Sequence, residues 1–509
     1  MGFVKNKPPK GGQVNHPLRR TQRTSILWVI AGLTVAALAA CATAERVADD
    51  TFSVSNFAGM AAADEPQAVL VGRDILSLGG TATDAAVAMA FTMTVTLPSQ
   101  VSLGSSGACL VFDRGQKMVN AILFVPPLAG PTGDPSILPG MPRGMFLLHA
   151  KYGHVVWAEV LGTAQRMAVQ GVPASRAFVR QFAPVSASVL ADPVARAVFT
   201  RADGEAIGEG DRLLNPQLGA TIGHIALHGV GEFYSGNWSR DFIAAAHQAG
   251  ATFGEADMRP FAAQAVAPLG IPYGHEMAYF APPPALTGIP EAQIWAHFAE
   301  TGDYKDAKPD LRPGLVGASF ARAFADRAQW LKAPISPADA IGKAHVETVM
   351  AGLDANQSPA ELSSDEPVAG AGLVTVDNAG SAVACEFTLN RPFGTGSMVP
   401  GFGIYLPAPS PDVGLGLGPM LAINQNSNEF RFAAAASGGP SGARSLIRVA
   451  ADTLLADRPL LESVAALHDD QSPGRVEAAR CGSGHPTLER CSAATDPRGS
   501  GLAQTIAQR

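Results

Sequence analysis

Few side chains in this sequence stand in patterns that could do chemistry. Its eleven histidines include no HExxH pair, and no cysteine pair has metal-ligand spacing, so no metal and no cofactor is expected. There is no G-x-S-x-G nucleophile elbow. Gly104-Ser105-Ser106-Gly107 lacks the Gly-Lys-Ser/Thr of a phosphate loop and reads as a turn. His149 and His154 flank a helix end and read as structural. What remains is Gly370–Gly396, GAGLVTVDNAGSAVACEFTLNRPFGTG, which has the form of a hairpin that presents a nucleophile at its start. Its first residue, however, is Gly370, which has no side-chain oxygen to attack an acyl carbon. The nearest hydroxyls are Ser363 and Ser364 upstream and Thr375 downstream, each at least five residues away. A shift of even one residue turns a strand's side chains to the other face.

The elements around that segment follow from pattern. Gly372–Val376 and Ser381–Thr388 are predicted strands around the turn Asp377-Asn378-Ala379-Gly380. Short glycine-punctuated strands follow to about residue 450, and Val449–Leu461 closes with a helix. Upstream, a helix is predicted to start at Asp64 and to stop at Gly79-Gly80, because Asp64-Glu65-Pro66-Gln67 has cap and first-turn character. Thr81–Thr96 is a second helix, apolar nearly all round and therefore buried. A strand is predicted at Ala108–Phe112, mainly helices over 140–260, a rigid loop at Pro282-Pro283-Pro284, and a helix at Ser319–Lys332. Residues 355–368 read as an exposed connection. Helices first, then antiparallel strands covered by helices, predict a layered α/β protein rather than a parallel doubly wound sheet.

Composition sets the outer bounds. With 509 residues, 47% hydrophobic and 16% charged, most of the chain has enough apolar content to bury a large core. A net charge of −7 argues against a nucleic-acid partner. The first 25 residues are basic, and an apolar run, Ile26–Ala40, follows. That run suits the core of a signal peptide better than a bilayer span, which needs about 20 apolar residues. It ends Leu38-Ala39-Ala40-Cys41, similar to the lipobox read by a bacterial lipoprotein signal peptidase. Residues 1–40 are therefore read as a lipoprotein signal peptide, 41–58 as a linker, and Cys41 as lipidated. The expected location is periplasmic, with membrane contact through the N-terminal lipid anchor. Cys481 and Cys491 lie close together and could form a disulfide or remain two free thiols; the sequence leaves both open. Cys109 and Cys385 sit in apolar runs and read as plain core residues.

Several segments together resemble the gamma-glutamyltransferase family. They are Leu76–Ala88, His149–Gly153, Phe324-Ala325-Asp326-Arg327, Thr388-Leu389-Asn390, Phe393–Gly396, Gly401–Leu406, Val476–Arg480 and Asp496-Pro497-Arg498. Their order and spacing carry the resemblance across about residues 56–509. It implies an N-terminal-nucleophile hydrolase fold, an αββα sandwich of two stacked antiparallel sheets. The large-subunit-like part would span 59–369 and a shortened small-subunit-like part 370–509, both in one globular unit. The family's precursor cuts itself before a threonine. That threonine then transfers or hydrolyses gamma-glutamyl amides such as glutathione through an acyl-enzyme. With Val376-Asp377 and Thr388-Leu389-Asn390 in register, the threonine's place falls on Gly370. Losing a nucleophile costs about 10⁴–10⁶-fold in turnover. The resemblance also places the carboxylate-gripping arginine on Val125 and a pair of serines on Leu421 and Ala422. It carries substrate-binding roles to Thr388, Asn390, Asp412, Ser441 and Gly442. The implied partner is a small molecule, gamma-glutamyl or less polar.

Overall fold

In a computed structural model the described residues are Gly2, 56–130, 135–333, 335–353, 368–468 and 473–508. The proposed leader and Cys41 lie outside them, as do Ser363 and Ser364. Two antiparallel sheets are stacked face to face within residues 55–509. The first has seven strands in the order Leu502–Ala507, Phe57–Ala63, Ala369–Asp377, Ala382–Asn390, Ser106–Asp113, Met118–Phe124 and Gln264–Val266. The second has six, in the order Cys491–Thr495, Arg475–Cys481, Glu429–Ser437, Met420–Asn424, Glu276–Phe280 and Leu269–Tyr273. Each sheet thus contains strands from before and from after residue 369, and in the first sheet the two central strands from 369–390 lie between strands from the N-terminal part of the chain.

The layers follow from which faces are apolar. Leu110, Phe112, Val374 and Val376 of the first sheet meet Leu421, Phe430 and Ala433 of the second in the inter-sheet core. The outer face of the first sheet is covered by helices that include Pro66–Ser77, Ala82–Thr96, Met141–Tyr152 and Trp157–Gln170. Gly288–Thr301, Arg312–Trp330 and Pro440–Leu454 cover the outer face of the second. The architecture is the expected αββα sandwich. Every residue of Ala82–Thr96 is buried; five alanines in its fifteen positions let it lie close against the sheet. Thr81 caps it: the threonine hydroxyl accepts from Asp84 N–H, and Asp84 accepts from Thr81 N–H.

Four elements depart from the sequence reading, each for a local reason. The first helix begins at Pro66 with Glu65 as its cap, because the Asp64 carboxylate is drawn inward to Gly372 N–H. Phe57–Ala63 is a fully buried strand with no polar alternation, so it carries no period to read, and it takes in the last residues of the expected linker. The helix expected from Ser319 starts at Arg312, with a proline in its first turn. The helix expected over Val449–Leu461 is the end of Pro440–Leu454 and the start of Leu460–Ala465, with Pro459 between them.

The cysteines also differ. Cys109 and Cys385 are not free core thiols: they stand opposite each other on paired strands and are joined as a disulfide. Cys481 and Cys491 are likewise cross-strand neighbours joined as a disulfide. Among the described residues no helix is long and apolar enough to cross a membrane.

Candidate functional site

Gly370 stands near the start of the central Ala369–Asp377 strand, opposite Thr388. The neighbouring pair is Ala369 with Asn390, so Leu389 is an extra residue and the ladder bulges there. Thr388 repairs the bulge. Its hydroxyl donates to the Ala369 carbonyl at 2.7 Å and accepts the Asn390 N–H at 2.9 Å. Asn390 has φ 64°, a left-handed conformation that asparagine tolerates, and its Nδ2 donates to the Ala408 carbonyl at 2.7 Å. These bonds of both side chains all go to main-chain groups.

The backbone around Gly370 is equally committed. Its N–H donates to Gln100 Oε1 at 2.7 Å. A Cβ added at this position would stand 2.6 Å from the Phe387 carbonyl oxygen. The position lacks a hydroxyl, and the atom that would carry one has no room. Thr375, the nearest downstream hydroxyl, is fully buried and donates to the Ala82 carbonyl at 2.7 Å.

Three loops converge beside this strand. Gly438 and Gly439 both have positive φ and lead into Pro440–Leu454. A Cβ on Gly439 would come within 2.8 Å of Val368 Cγ2, which places the loop against the residues just before Gly370. Ser441 Oγ donates to the Gly438 carbonyl at 2.8 Å, and Gly442 N–H donates to the Gly439 carbonyl at 3.0 Å. Gly442 is required sterically, since a Cβ there would sit 2.2 Å from the Ser437 carbonyl. The Asp412–Gly416 turn lies alongside: a Cβ on Gly416 would meet Gly439 Cα at 2.5 Å, and one on Gly414 would meet Val125 at 3.3 Å. Gly370, Ser441, Gly442, Asp412 and Val125 are thus brought to one neighbourhood.

Asp412 Oδ2 is paired with Arg327 Nη2 at 3.4 Å. The Arg327 guanidinium lies over the Phe324 ring, and its Nε and Nη1 are buried with no partner among the described residues. A ligand ammonium would have to compete with this arginine for Asp412. Val125 lines a cavity of about 300 Å³ together with Leu123, Leu138, Phe261 and Pro284. Leu421 and Ala422 are fully buried in the Met420–Asn424 strand and pack into the cores on its two faces.

Sequence reasoning missed an acidic layer between the sheets. Asp64 accepts from Gly372 N–H at 2.9 Å and from Ser437 Oγ at 3.3 Å, so it ties one sheet to the other. Glu386 does the same, accepting from Ala436 N–H at 2.6 Å and from Gly418 N–H at 2.5 Å. Glu477 Oε2 faces Gly372, where an added Cβ would be 2.9 Å away. Glu291 Oε2 faces Gly418, and neither Glu291 oxygen has a partner among the described residues. Burial raises all four carboxyls above their ordinary range, Glu386 to about 8. For Glu291 and Glu477 the neighbouring acid, Glu386 or Asp64, adds to the rise. For Glu386 and Asp64 the backbone N–H donors offset part of the rise. The signal was a lone acid inside an apolar strand, as in Ala-Val-Ala-Cys-Glu-Phe at 382–387.

Comparison with known proteins agrees with this layout. The sequence profile of the family described as Gamma-glutamyltranspeptidase matches residues 68–125 and 131–466. The "Glutathione hydrolase proenzyme" of Escherichia coli (strain K12) is 28% identical over 382 residues, covering 68% of this chain and 65% of that protein. The protein of the same name from Pseudomonas aeruginosa is 26% identical over 394 residues, covering 70% of this chain and 68% of that one. The chain therefore spans about two thirds of the length of these relatives. Among solved structures, a cephalosporin acylase from Bacillus halodurans superimposes with a TM-score of 0.70 at 20% identity, covering 89% of this chain and 96% of that one; this similarity is one of fold.

Proposed function

The chain belongs to the gamma-glutamyltranspeptidase family, and from that premise we propose that it is an unprocessed member with impaired gamma-glutamyl transfer. The observation that carries this reading is Gly370: no oxygen is present to start acylation, and a Cβ there would lie 2.6 Å from the Phe387 carbonyl. The E. coli relative is named a proenzyme; this chain would stay in its precursor form.

The pocket would accept a small molecule that is gamma-glutamyl-like or less polar. In favour of the less polar ligand, Val125 stands where the resemblance implies an arginine, and it opens on a largely apolar cavity. The charge-assisted bond so lost is worth roughly 1.5–3 kcal/mol, about 10- to 100-fold in affinity. Thr388, Asn390, Ser441 and Gly442 would hold the backbone beside Gly370 rather than line this cavity, and Asp412 would present its carboxylate only to a ligand able to displace Arg327.

The basic leader, the apolar run and Cys41 support export and lipid anchoring at a bacterial membrane. The division into large- and small-subunit-like segments at 369/370 would then be one of ancestry rather than of cleavage.

Denaturing electrophoresis of the mature protein tests the reading. One intact band, with no turnover of a gamma-glutamyl chromogenic amide, is the expected result. Two fragments, the smaller beginning with Ser or Thr, together with turnover abolished by mutating that residue, would overturn it.

A further inference from the structure

The cavity of about 300 Å³ beside Val125 has the size of a small-molecule site. It lies where the first sheet ends: Leu123 pairs with Gln264 of the edge strand Gln264–Val266, and Phe261 stands just before that strand. Leu123 and Leu138 are buried, and Phe261 packs on Tyr234 with ring centroids 6.1 Å apart, so the apolar wall is supported from behind. Val125 and Pro284 also border the Asp412–Gly416 turn, because a Cβ on Gly414 would run into the Pro284 carbonyl and meet Val125 Cγ1 at 3.3 Å. The cavity therefore shares a wall with the loops beside Gly370.

Two polar side chains line it, Asp257 and Gln264, and Asp257 is the only charged one. Asp257 Oδ2 accepts the Gly254 N–H at 2.8 Å, which orients the carboxylate without neutralising it. The neighbouring Glu255 is paired with Arg240 at 3.7 Å, whereas Asp257 has no ion pair among the described residues. Two cations of the same region are placed elsewhere. Arg143 lies over the Tyr234 ring at 4.0 Å from its centroid and donates to the Arg259 carbonyl, and Arg259 is exposed and does not line the cavity. The charges that would hold a ligand's carboxylate and ammonium nearer Gly370 are absent or engaged: Val125 is apolar, and Asp412 is paired with Arg327 at 3.4 Å. A ligand carboxylate thus meets no cation in the lining. A ligand ammonium meets one carboxylate, set among apolar walls that strengthen the attraction.

We propose that this cavity takes a small apolar primary amine that carries no carboxylate. Its phenyl or short alkyl body lies against Val125, Leu138, Phe261 and Pro284, and its ammonium pairs with Asp257. The inference rests on the less polar pocket proposed above and names the class of ligand for it.

The test titrates the full-length protein with benzylamine and hexylamine in an amine-free buffer, followed by ligand-observed NMR, with benzyl alcohol and glutamate as controls. Both amines should bind saturably, benzyl alcohol about tenfold more weakly, and glutamate not at all. Asp257→Asn keeps an acceptor for the Gly254 N–H and should weaken the amines about tenfold, the loss of one charge-assisted contact. Val125→Arg, which fills the cavity and opposes a cation, should remove amine binding. Circular dichroism identifies either variant if it fails to fold. Binding of neither amine, or amine affinity unchanged in folded Asp257→Asn, overturns the inference. Benzyl alcohol bound as tightly as benzylamine also overturns it, while leaving the less polar pocket standing. Saturable binding of glutamate that benzyl alcohol does not displace overturns that pocket reading itself.

Discussion

Putting a hydroxyl back at position 370 is the sharpest perturbation available, and the expected result is a damaged protein rather than a revived enzyme. A Cβ at Gly370 would lie 2.6 Å from the Phe387 carbonyl oxygen. Ordinary carbon–oxygen contacts across a sheet are not much closer than about 3.3 Å, so roughly 0.7 Å must be found. It cannot come from a flexible side chain, because the obstructing atom is backbone. Phe387 itself is buried, and its strand is tied on both sides, to Ala369–Asp377 and to Ser106–Asp113. Overpacking of this kind typically costs about 1–3 kcal/mol. Gly370→Thr should therefore lower the melting temperature by a few degrees, remain one band on a denaturing gel, and leave a gamma-glutamyl chromogenic amide untouched. Gly370→Ala should show the same destabilisation, which separates the steric effect of the Cβ from any effect of the hydroxyl. Cleavage of Gly370→Thr immediately before position 370, with turnover of the amide and no loss of stability, would refute the steric argument.

Other outcomes follow from the interior. Burial pushes Glu386 up to about 8 and Glu65 up to about 7, so the folded chain holds protons that the unfolded chain releases near the ordinary value of 4.5. Stability contributed by these groups is complete below about pH 4.5 and is lost as pH rises through about 7–8, so urea midpoints should fall between about pH 5 and pH 8. A midpoint that climbs over that window, or a slope unchanged in Glu386→Gln, would count against the acidic layer. The Cys109–Cys385 bond closes a loop of 276 residues and Cys481–Cys491 one of 10, so in the chain-entropy model the first is worth about 5–6 kcal/mol and the second about 3. Replacing the first pair by serine should therefore lower the melting temperature more than replacing the second; the reverse order would refute that ranking. Asp412→Asn removes the charge facing Arg327, whose guanidinium is only 11% exposed, and should destabilise by about 1–3 kcal/mol. A neutral effect in thermal melts would mean that the pair does not hold this turn.

How far the sequence could be read depended on whether a feature was local. The fully buried helix at Ala82–Thr96 and the hairpin around Asp377–Gly380 announce themselves through composition and turn chemistry, and both are present within a few residues of their expected limits. The Phe57–Ala63 strand does not, because a strand buried on both faces shows no alternation. Asp64 looked like a helix cap from its neighbours, yet its partners are Gly372 and Ser437, 308 and 373 residues away. Cys109 and Cys385 are similarly distant in sequence and become neighbours only when their strands pair. At the site, the missing oxygen at Gly370 was legible directly. The closing of its side-chain space by Phe387, and the capture of Asp412 by Arg327, were not, since both depend on contacts between separate elements.

The polar residues near Gly370 bear on the proposed impairment. Thr388 and Asn390 would be counted as remnants of catalysis if judged by type alone. In the fold, Thr388 closes the gap left by an extra residue in the ladder, and Asn390 supplies a left-handed turn and anchors Ala408. Gly442 is held by the Ser437 carbonyl for steric reasons, and Ser441 bonds within its own loop. Each would be costly to replace even if no substrate ever bound, because an unpaired buried polar group costs about 1–3 kcal/mol. Gly370 has no such obligation to keep an oxygen, and Val125, Leu421 and Ala422 are apolar side chains seated in apolar surroundings. The bonds these side chains make with the backbone account for their presence whether or not a substrate binds. On the proposed reading the polar residues near Gly370 serve the scaffold, and activity at this site would have to be argued from a nucleophile other than residue 370.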